Sequence, residues 1–182
     1  MPLQTSLIPL APATYDAFFA YLGDQLKENG QGGTPLFQPM SRAQPTLAPE
    51  RAAAFRQALD TPLGQPGWRR AWVAVGPEGI RGHVDLRARP EPHAQHRGML
   101  GMGVHRDWRR IGLGRRLVGL AVQWAAAQDG LDWIDLEVLS VNAPARQLYL
   151  ATGFVQTGEH ADMFRIDGEQ HGYTYMSRAL RR

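Results

Sequence analysis

No cysteine occurs in the 182 residues. That absence removes disulfides, thiolate metal sites and cysteine nucleophiles together, and it suits a cytoplasmic chain. Long apolar runs are missing too. No uninterrupted stretch would cross a bilayer, and the opening "MPLQTSLIPLAPATYDAFF" has no basic segment leading into a long apolar one, so neither a membrane span nor a targeting segment is expected. Six histidines are present without the spacing of a metal site, and no metal is expected. Lysine is nearly absent, so the formal charge of +3 rests on arginine. A planar guanidinium favours fixed, forked contacts to phosphate or carboxylate over a general cationic coat. The length suits one domain, residues 1–182, with a sizeable core.

Two textures follow one another along the chain. The first holds a short strand at residues 5–10 and then "TYDAFFAYLGDQL", where Tyr15, Phe18, Phe19, Leu22 and Leu26 recur at helical spacing behind Thr14 as candidate cap. Residues 29–49, "NGQGGTPLFQPMSRAQPTLAP", hold too much glycine and proline for a long regular element. A loop of that length reads as a lid or specificity loop. A helix from about Pro49 to Leu59 should bury Ala53, Phe55 and Leu59.

The second texture is rich in strands. "RRAWVAV" and "IRGHVDLRAR" flank the turn "GPEG" as a hairpin, and "HRGMLGMGV" is a third strand whose glycines suggest bulging or close backbone approach. From Gly112 to Gln128, Leu113, Leu117, Leu120, Ala121 and Trp124 form one helical stripe, ended by Asp129 and Gly130. "WIDLEVL" reads as a strand, and "NAPARQLYLAT" as a short helix capped by Asn142 and stopped by Gly153. "FVQTGEHA" and "YTYMSRAL" are the closing strands. Trp68, Trp72, Trp124 and Trp133 read as core or rim packing. Mixed order of this kind indicates an α/β domain with a mixed, largely antiparallel sheet flanked by helices.

Between the third strand and the long helix lies "VHRDWRRIGLGRR". A strand, a turn with Gly112 and Gly114, and a helix leave backbone N–H groups unpaired where the macrodipole also favours negative charge. Arg106, Arg109, Arg110, Arg115 and Arg116 surround that turn. Their mutual repulsion is expected to be offset when an anion arrives. Neither a dinucleotide G-x-G-x-x-G nor the Lys-Ser/Thr pair of a P-loop is present.

Two stretches in order carry a resemblance. Arg109, Arg110, Ile111, Gly112, Leu113 and Gly114 resemble the R/Q-x-x-G-x-G/A acyl-CoA loop of the GNAT superfamily of N-acyltransferases. Leu136 to Val138, Asn142, Ala145, Leu148, Tyr149, Gly153 and Phe154 are similar to its L-E-V…N-x-x-A-x-x-L-Y-x-x-x-G-F pattern. The likeness is tight from about His96 to Phe154, looser to the C-terminus, and rests on element order alone before Trp68. Arg106 replaces a common proline and Arg110 a common glycine.

The resemblance implies a GNAT fold and an acetyl-CoA-dependent N-acetyltransferase acting through a ternary complex. The strand before the loop would bulge and splay, with Met102, Gly103 and Val104 at the thioester, and the pyrophosphate would sit on the amides from Arg109 to Arg115. Glu137 stands where some members carry a catalytic glutamate, and it reads equally as a surface strand carboxylate; His83, Asp85 and His105 are rival bases. Tyr149 would protonate the departing thiolate. Asn142 and Tyr149 lie seven residues apart, two turns along one helix face, so Asn142 could both cap the helix and bond the pantetheine. The acceptor would be an amino acid, a peptide N-terminus or a small amine; polyamines are disfavoured because residues 29–49 are nearly free of carboxylates. Members often dimerise. Two rival readings are a catalytically weak acyl-CoA sensor and a nucleic-acid-binding module built on the arginines.

Overall fold

The computed structural model describes residues 5–180. Its elements are β1 (Ser6–Pro9), α1 (Tyr15–Leu26), α2 (Pro49–Asp60), β2 (Arg69–Gly76), β3 (Gly79–Ala88), β4 (Arg97–Val104), α3 (Leu113–Ala126), β5 (Trp133–Leu139), α4 (Ala143–Ala151), β6 (Val155–Ile166) and β7 (Glu169–Ala179). The seven strands form one sheet in the order β1-β2-β3-β4-β5-β7-β6. Only β4 and β5 run parallel; every other neighbouring pair is antiparallel. The expected mixed α/β architecture is therefore present.

Alternation along the strands assigns the two faces. Val84, Leu86, Ile134, Leu136 and Val138 point to one side, where α3 packs Leu113, Leu117, Val118 and Ala121 and α4 packs Tyr149. The opposite face takes α1, whose Phe18 and Tyr21 meet Ala71 and Val73, with Phe55 and Leu59 of α2 packed behind them. Helix α2 has no fully buried residue and Ala53 is exposed, so the expected burial of Ala53 is corrected. The helix only roofs α1 with its two largest apolar side chains. Thr14 occupies the cap position of α1, yet its hydroxyl turns back to Ala11 instead of bonding the helix.

The last two strands are longer than expected and form one hairpin, with Asp167 and Gly168 at the turn in left-handed conformation. Most of β6 is exposed, so the two-residue alternation that betrays a half-buried strand is missing.

Residues 27–48 fold upon themselves. The buried Asn29 side chain accepts from the amides of Phe37 (2.7 Å) and Gln38 (2.9 Å) and donates to the Gln38 carbonyl (2.9 Å). Leu36 then packs on Leu139 and Ile166, and Arg42 binds Asp167 (3.2 Å) and Glu169 (2.9 Å). The segment is pinned to the sheet at the end of β5.

Candidate active site

Strands β4 and β5 stay together for only three residue pairs, Arg97–Trp133, Gly98–Ile134 and Met99–Asp135. Beyond them β4 follows β3 and β5 follows β7, so the sheet opens into a fork. The hydrogen bonds His105 N to Arg81 O (2.9 Å) and Trp133 N to His96 O (3.2 Å) fix the alternation. Odd-numbered residues of β4 bond β3, and the main-chain groups of Leu100, Met102 and Val104 face the fork. On β5 the bond from Leu180 N to Asp132 O (2.8 Å) turns the even residues to β7, so Glu137 and Leu139 face the fork from the other side.

The splaying expected of β4 is present, but the bulge is not. The β3–β4 register is unbroken from Gly82–Val104 to Ala88–Gly98. The glycines of β4 answer instead to close approach. A Cβ on Gly101 would stand 2.7 Å from the Asp85 carboxylate, and one on Gly103 would stand 2.5 Å from the Gln25 amide oxygen and 2.8 Å from the His83 ring.

The closed end of the fork is tied by Asp135. It accepts from Arg97 (2.7 and 2.5 Å), Arg89 (3.0 Å) and Ser177 (2.6 Å). Burial alone would raise this carboxyl; the hydrogen bonds from Arg97, Ser177 and Arg89 outweigh it and hold it below the usual carboxylate range.

Past the open end, the chain makes one turn at Arg106–Trp108 and enters α3. From Arg110 to Arg115, six consecutive amides have no hydrogen-bond acceptor among the described residues; the first helical bond is Arg116 N to Gly112 O (3.2 Å). The two glycines of this turn do different things. Gly112 caps the helix at φ 84°, a left-handed conformation that costs an L-residue about 1–2 kcal/mol. Gly114 lets α3 close on α4, since a Cβ there would lie 2.9 Å from Leu148. Arg110, in the place of a common glycine, also takes a left-handed conformation at φ 64°.

The arginines divide into two groups, which corrects the expectation that all of them await an anion. Arg106 pairs with Glu28 and with Asp24 (2.9 Å). Arg109 donates to Glu28 (2.9 Å) and to the Val104 carbonyl (3.0 Å), and Arg116 to the Thr5 carbonyl (3.0 Å). These three lock the loop to the end of α1 and to the start of the described chain. Arg110 and Arg115 are exposed and make no ion pair or hydrogen bond through their side chains among the described residues.

Tyr149 comes from the other side. Its ring is 7% exposed and meets Phe154 edge-on at 5.8 Å. Burial, and after it the charge of Asp85, raises its hydroxyl well above the usual tyrosine range. Asn142 caps α4 by accepting from Ala145 N (3.3 Å), as its position suggested.

Glu137 is the exposed residue in an otherwise buried run of β5. It borders an open cavity of about 380 Å³ shared with Arg97, Asp135 and Tyr175. Tyr173 on β7 feels it: burial first, then the Glu137 charge, pushes that hydroxyl up to about 12. The rival bases lie elsewhere. His105 sits at the loop beside Asp24 and Asp107. Asp85 is buried, 3.4 Å from Arg69 and 3.7 Å from Arg87.

His83, the third rival, is buried. Its Nδ1 lies 3.2 Å from the Tyr21 hydroxyl, which also donates to the Gly103 carbonyl at 3.1 Å. Sequence spacing gave Tyr21 no role. Burial brings the His83 pKa down to about 4. Because the folded value lies below the unfolded one, its contribution is fully present above pH ~6.5 and is lost as pH falls toward 4. Thermal unfolding across that window should show a loss of roughly 3 kcal/mol, since each tenfold difference in proton affinity between the folded and unfolded chain is worth about 1.36 kcal/mol. His83→Gln should flatten the slope.

Comparison with known proteins identifies the family and the fold. Residues 41–154 match the model of the acetyltransferase (GNAT) family. An acetyltransferase of the GNAT family from Streptococcus pneumoniae superimposes with a TM-score of 0.80 at 21% identity, over 97% of this chain and 99% of that one. The protein yncA from Salmonella typhimurium, solved with its cofactor acetyl-CoA, gives 0.76 at 16% identity over 97% and 94%. A spermidine N-acetyltransferase from Vibrio cholerae in complex with CoA and spermine gives 0.71 at 18% identity over 97% and 96%. No curated protein sequence matches the chain.

Proposed function

Because the chain belongs to the acetyltransferase (GNAT) family, we propose that it moves an acetyl group from acetyl-CoA to a primary amine within the β4–β5 fork. The observation that carries this reading is the conjunction of six unpaired amides, Arg110 to Arg115, with a fork whose edges offer unpaired main-chain groups. A diphosphate fits the amides, and a pantetheine arm with its two amide groups fits the edges. In this reading Arg110, Ile111, Gly112, Leu113, Gly114 and Arg115 receive the diphosphate. Arg109 holds the loop in shape through Glu28 and Val104, while Arg110 or Arg115 takes the outer phosphate. Asn142, at the start of α4, offers its side-chain amide to the arm.

Acetyl-CoA supplies an activated acyl carbon and a thiolate leaving group. The chain supplies the rest. Met102 or Val104 donates its N–H to the thioester oxygen as negative charge develops there, and Gly103 between them keeps the approach free of a side chain. An alkylammonium of pKa ~10.4 must lose its proton at a cost of about 4–5 kcal/mol at pH 7. Glu137 takes that proton, directly or through water, on the face where the acceptor enters. Tyr149, kept protonated by burial, gives its proton to the sulfur as the C–S bond breaks. Its raised pKa makes it a poor acid toward a free thiolate, so transfer must accompany bond cleavage.

Thiol release tests the reading. Purified protein should bind coenzyme A and release thiol from acetyl-CoA only when an amine is added. Binding without release under any amine would favour a sensor, and salt-sensitive RNA binding without CoA affinity would favour the nucleic-acid reading.

A further inference from the structure

Arg69 and Arg87 stand directly opposite each other on β2 and β3. Like charges in directly opposed positions destabilise a sheet, and here the Asp85 carboxylate lies between them. Arg51 on α2 adds further positive charge around Arg69. The Asp85 carboxylate is close to both guanidinia but hydrogen-bonds neither: Asp85 Oδ2 and the buried Arg69 Nε have no hydrogen-bond partner among the described residues. Arg69 is stacked on the Phe55 ring at 4.0 Å, which fixes the plane of its donors as a forked anion contact requires.

The register puts this cluster beside the fork. Partners across the sheet share a face, so Arg69, Arg87, Met99 and Asp135 form one row and Asp85 and Gly101 begin the next, with Glu137 on the same face two residues past Asp135 on the opposite lip of the fork. The Arg87 guanidinium lies over Gly101, 3.2 Å from where a Cβ would stand. It therefore reaches the β4 lip of the fork, whose opposite lip on β5 carries Glu137. The charges of Glu137 and Arg87 both act on the Tyr173 hydroxyl. By contrast, Arg89 and Arg97, in the cavity beyond Glu137, spend their donors on Asp135 and Glu91.

We propose that Arg69 and Arg87 form an anion subsite for the acceptor, and that the acceptor is a free amino acid whose carboxylate lies on these guanidinia while its α-amino group meets Glu137 in the fork. The proposal rests on the acetyl-transfer reading and narrows its substrate class. Arg87 and Glu137 lie close enough that both act on the Tyr173 hydroxyl, so amine and carboxylate must be near neighbours in the acceptor. A polyamine offers nothing to two arginines, and a peptide N-terminus carries its nearest backbone carbonyl as a neutral amide.

The test compares the best amino acid of the common twenty with its own carboxamide. Wild-type kcat/KM should favour the acid by about tenfold or more, mainly through KM, and Arg87→Gln should abolish that preference while leaving coenzyme A affinity unchanged. Arg87 is half exposed, so this variant should fold; Arg87→Glu should reverse the preference toward the carboxamide. A second readout is independent of turnover: the acid, in the presence of CoA, should raise the Tm of wild type but not of Arg87→Gln. Equal use of acid and amide, a preference for polyamines, or equal thermal shifts in wild type and Arg87→Gln would overturn the subsite. Failure of the parent reading looks different, as absence of CoA binding itself.

Discussion

Tyr149→Phe should lower kcat by about 100-fold, the lower end of what a positioned general acid contributes, and leave acetyl-CoA affinity within a factor of two. The phenolic ring fills its site against Phe154 at 5.8 Å, and phenylalanine keeps that packing. The hydroxyl makes no hydrogen bond among the described residues, so its loss orphans no partner and Tm should stay nearly unchanged. A loss confined to kcat marks a group used only as the bond breaks. Burial keeps Tyr149 protonated through the neutral range, so the basic limb of the pH–rate profile should not move in the variant. Equal losses in affinity and turnover would mean that the residue shapes the pocket instead of serving the leaving group.

The second large effect falls on stability. Asp135 is the common acceptor for Arg89, Arg97 and Ser177, and its side chain is only 6% exposed. Asp135→Ala would strip Arg97 of its carboxylate at the closed end of the fork and leave Arg89 with Glu91 alone. Removing one partner of such a buried pair costs roughly 3–5 kcal/mol. For a chain of this size that corresponds to a fall of ~10 °C in Tm, measured by calorimetry. Since only three residue pairs join β4 to β5, the loss should also loosen the fork. Hydrogen exchange at Gly98 and Trp133, whose amides face the β4–β5 seam, should accelerate more than at the outer strands. A variant with wild-type Tm would show that the three pairs hold without the carboxylate.

Sequence patterns reveal the half of the site built from local periodicity. The cap at Asn142 and the turn at Gly112 follow from spacing within one element and stand where that spacing put them; the α3 stripe holds at Leu113, Leu117 and Ala121, while Leu120 and Trp124 are half-buried and Val118, Val122 and Ala125 join the core. What the sequence conceals is pairing across distance. Arg106 and Arg109 find Asp24 and Glu28 about eighty positions upstream, and no periodicity links a loop to a helix end so far away. Tyr21 meets His83 and Gly103 only because α1 lies across β3 and β4. The extension of β6 escapes notice because its exposed residues lack alternation, although Asp167–Gly168 is itself a strong hairpin signal. Glycines 101 and 103 look like a bulge until their neighbours are known, and the neighbours are the side chains of Asp85, His83 and Gln25.

The most direct test is a calorimetric titration of the purified protein with coenzyme A and, separately, with pantetheine. Coenzyme A should saturate at one equivalent per chain and bind at least ~100-fold more tightly, because charge-assisted hydrogen bonds from the amides of Arg110 to Arg115 are worth about 1.5–3 kcal/mol each and pantetheine has no diphosphate to receive them. Equal affinities for the two, or no heat with coenzyme A, would contradict the assignment of that turn as the diphosphate cradle.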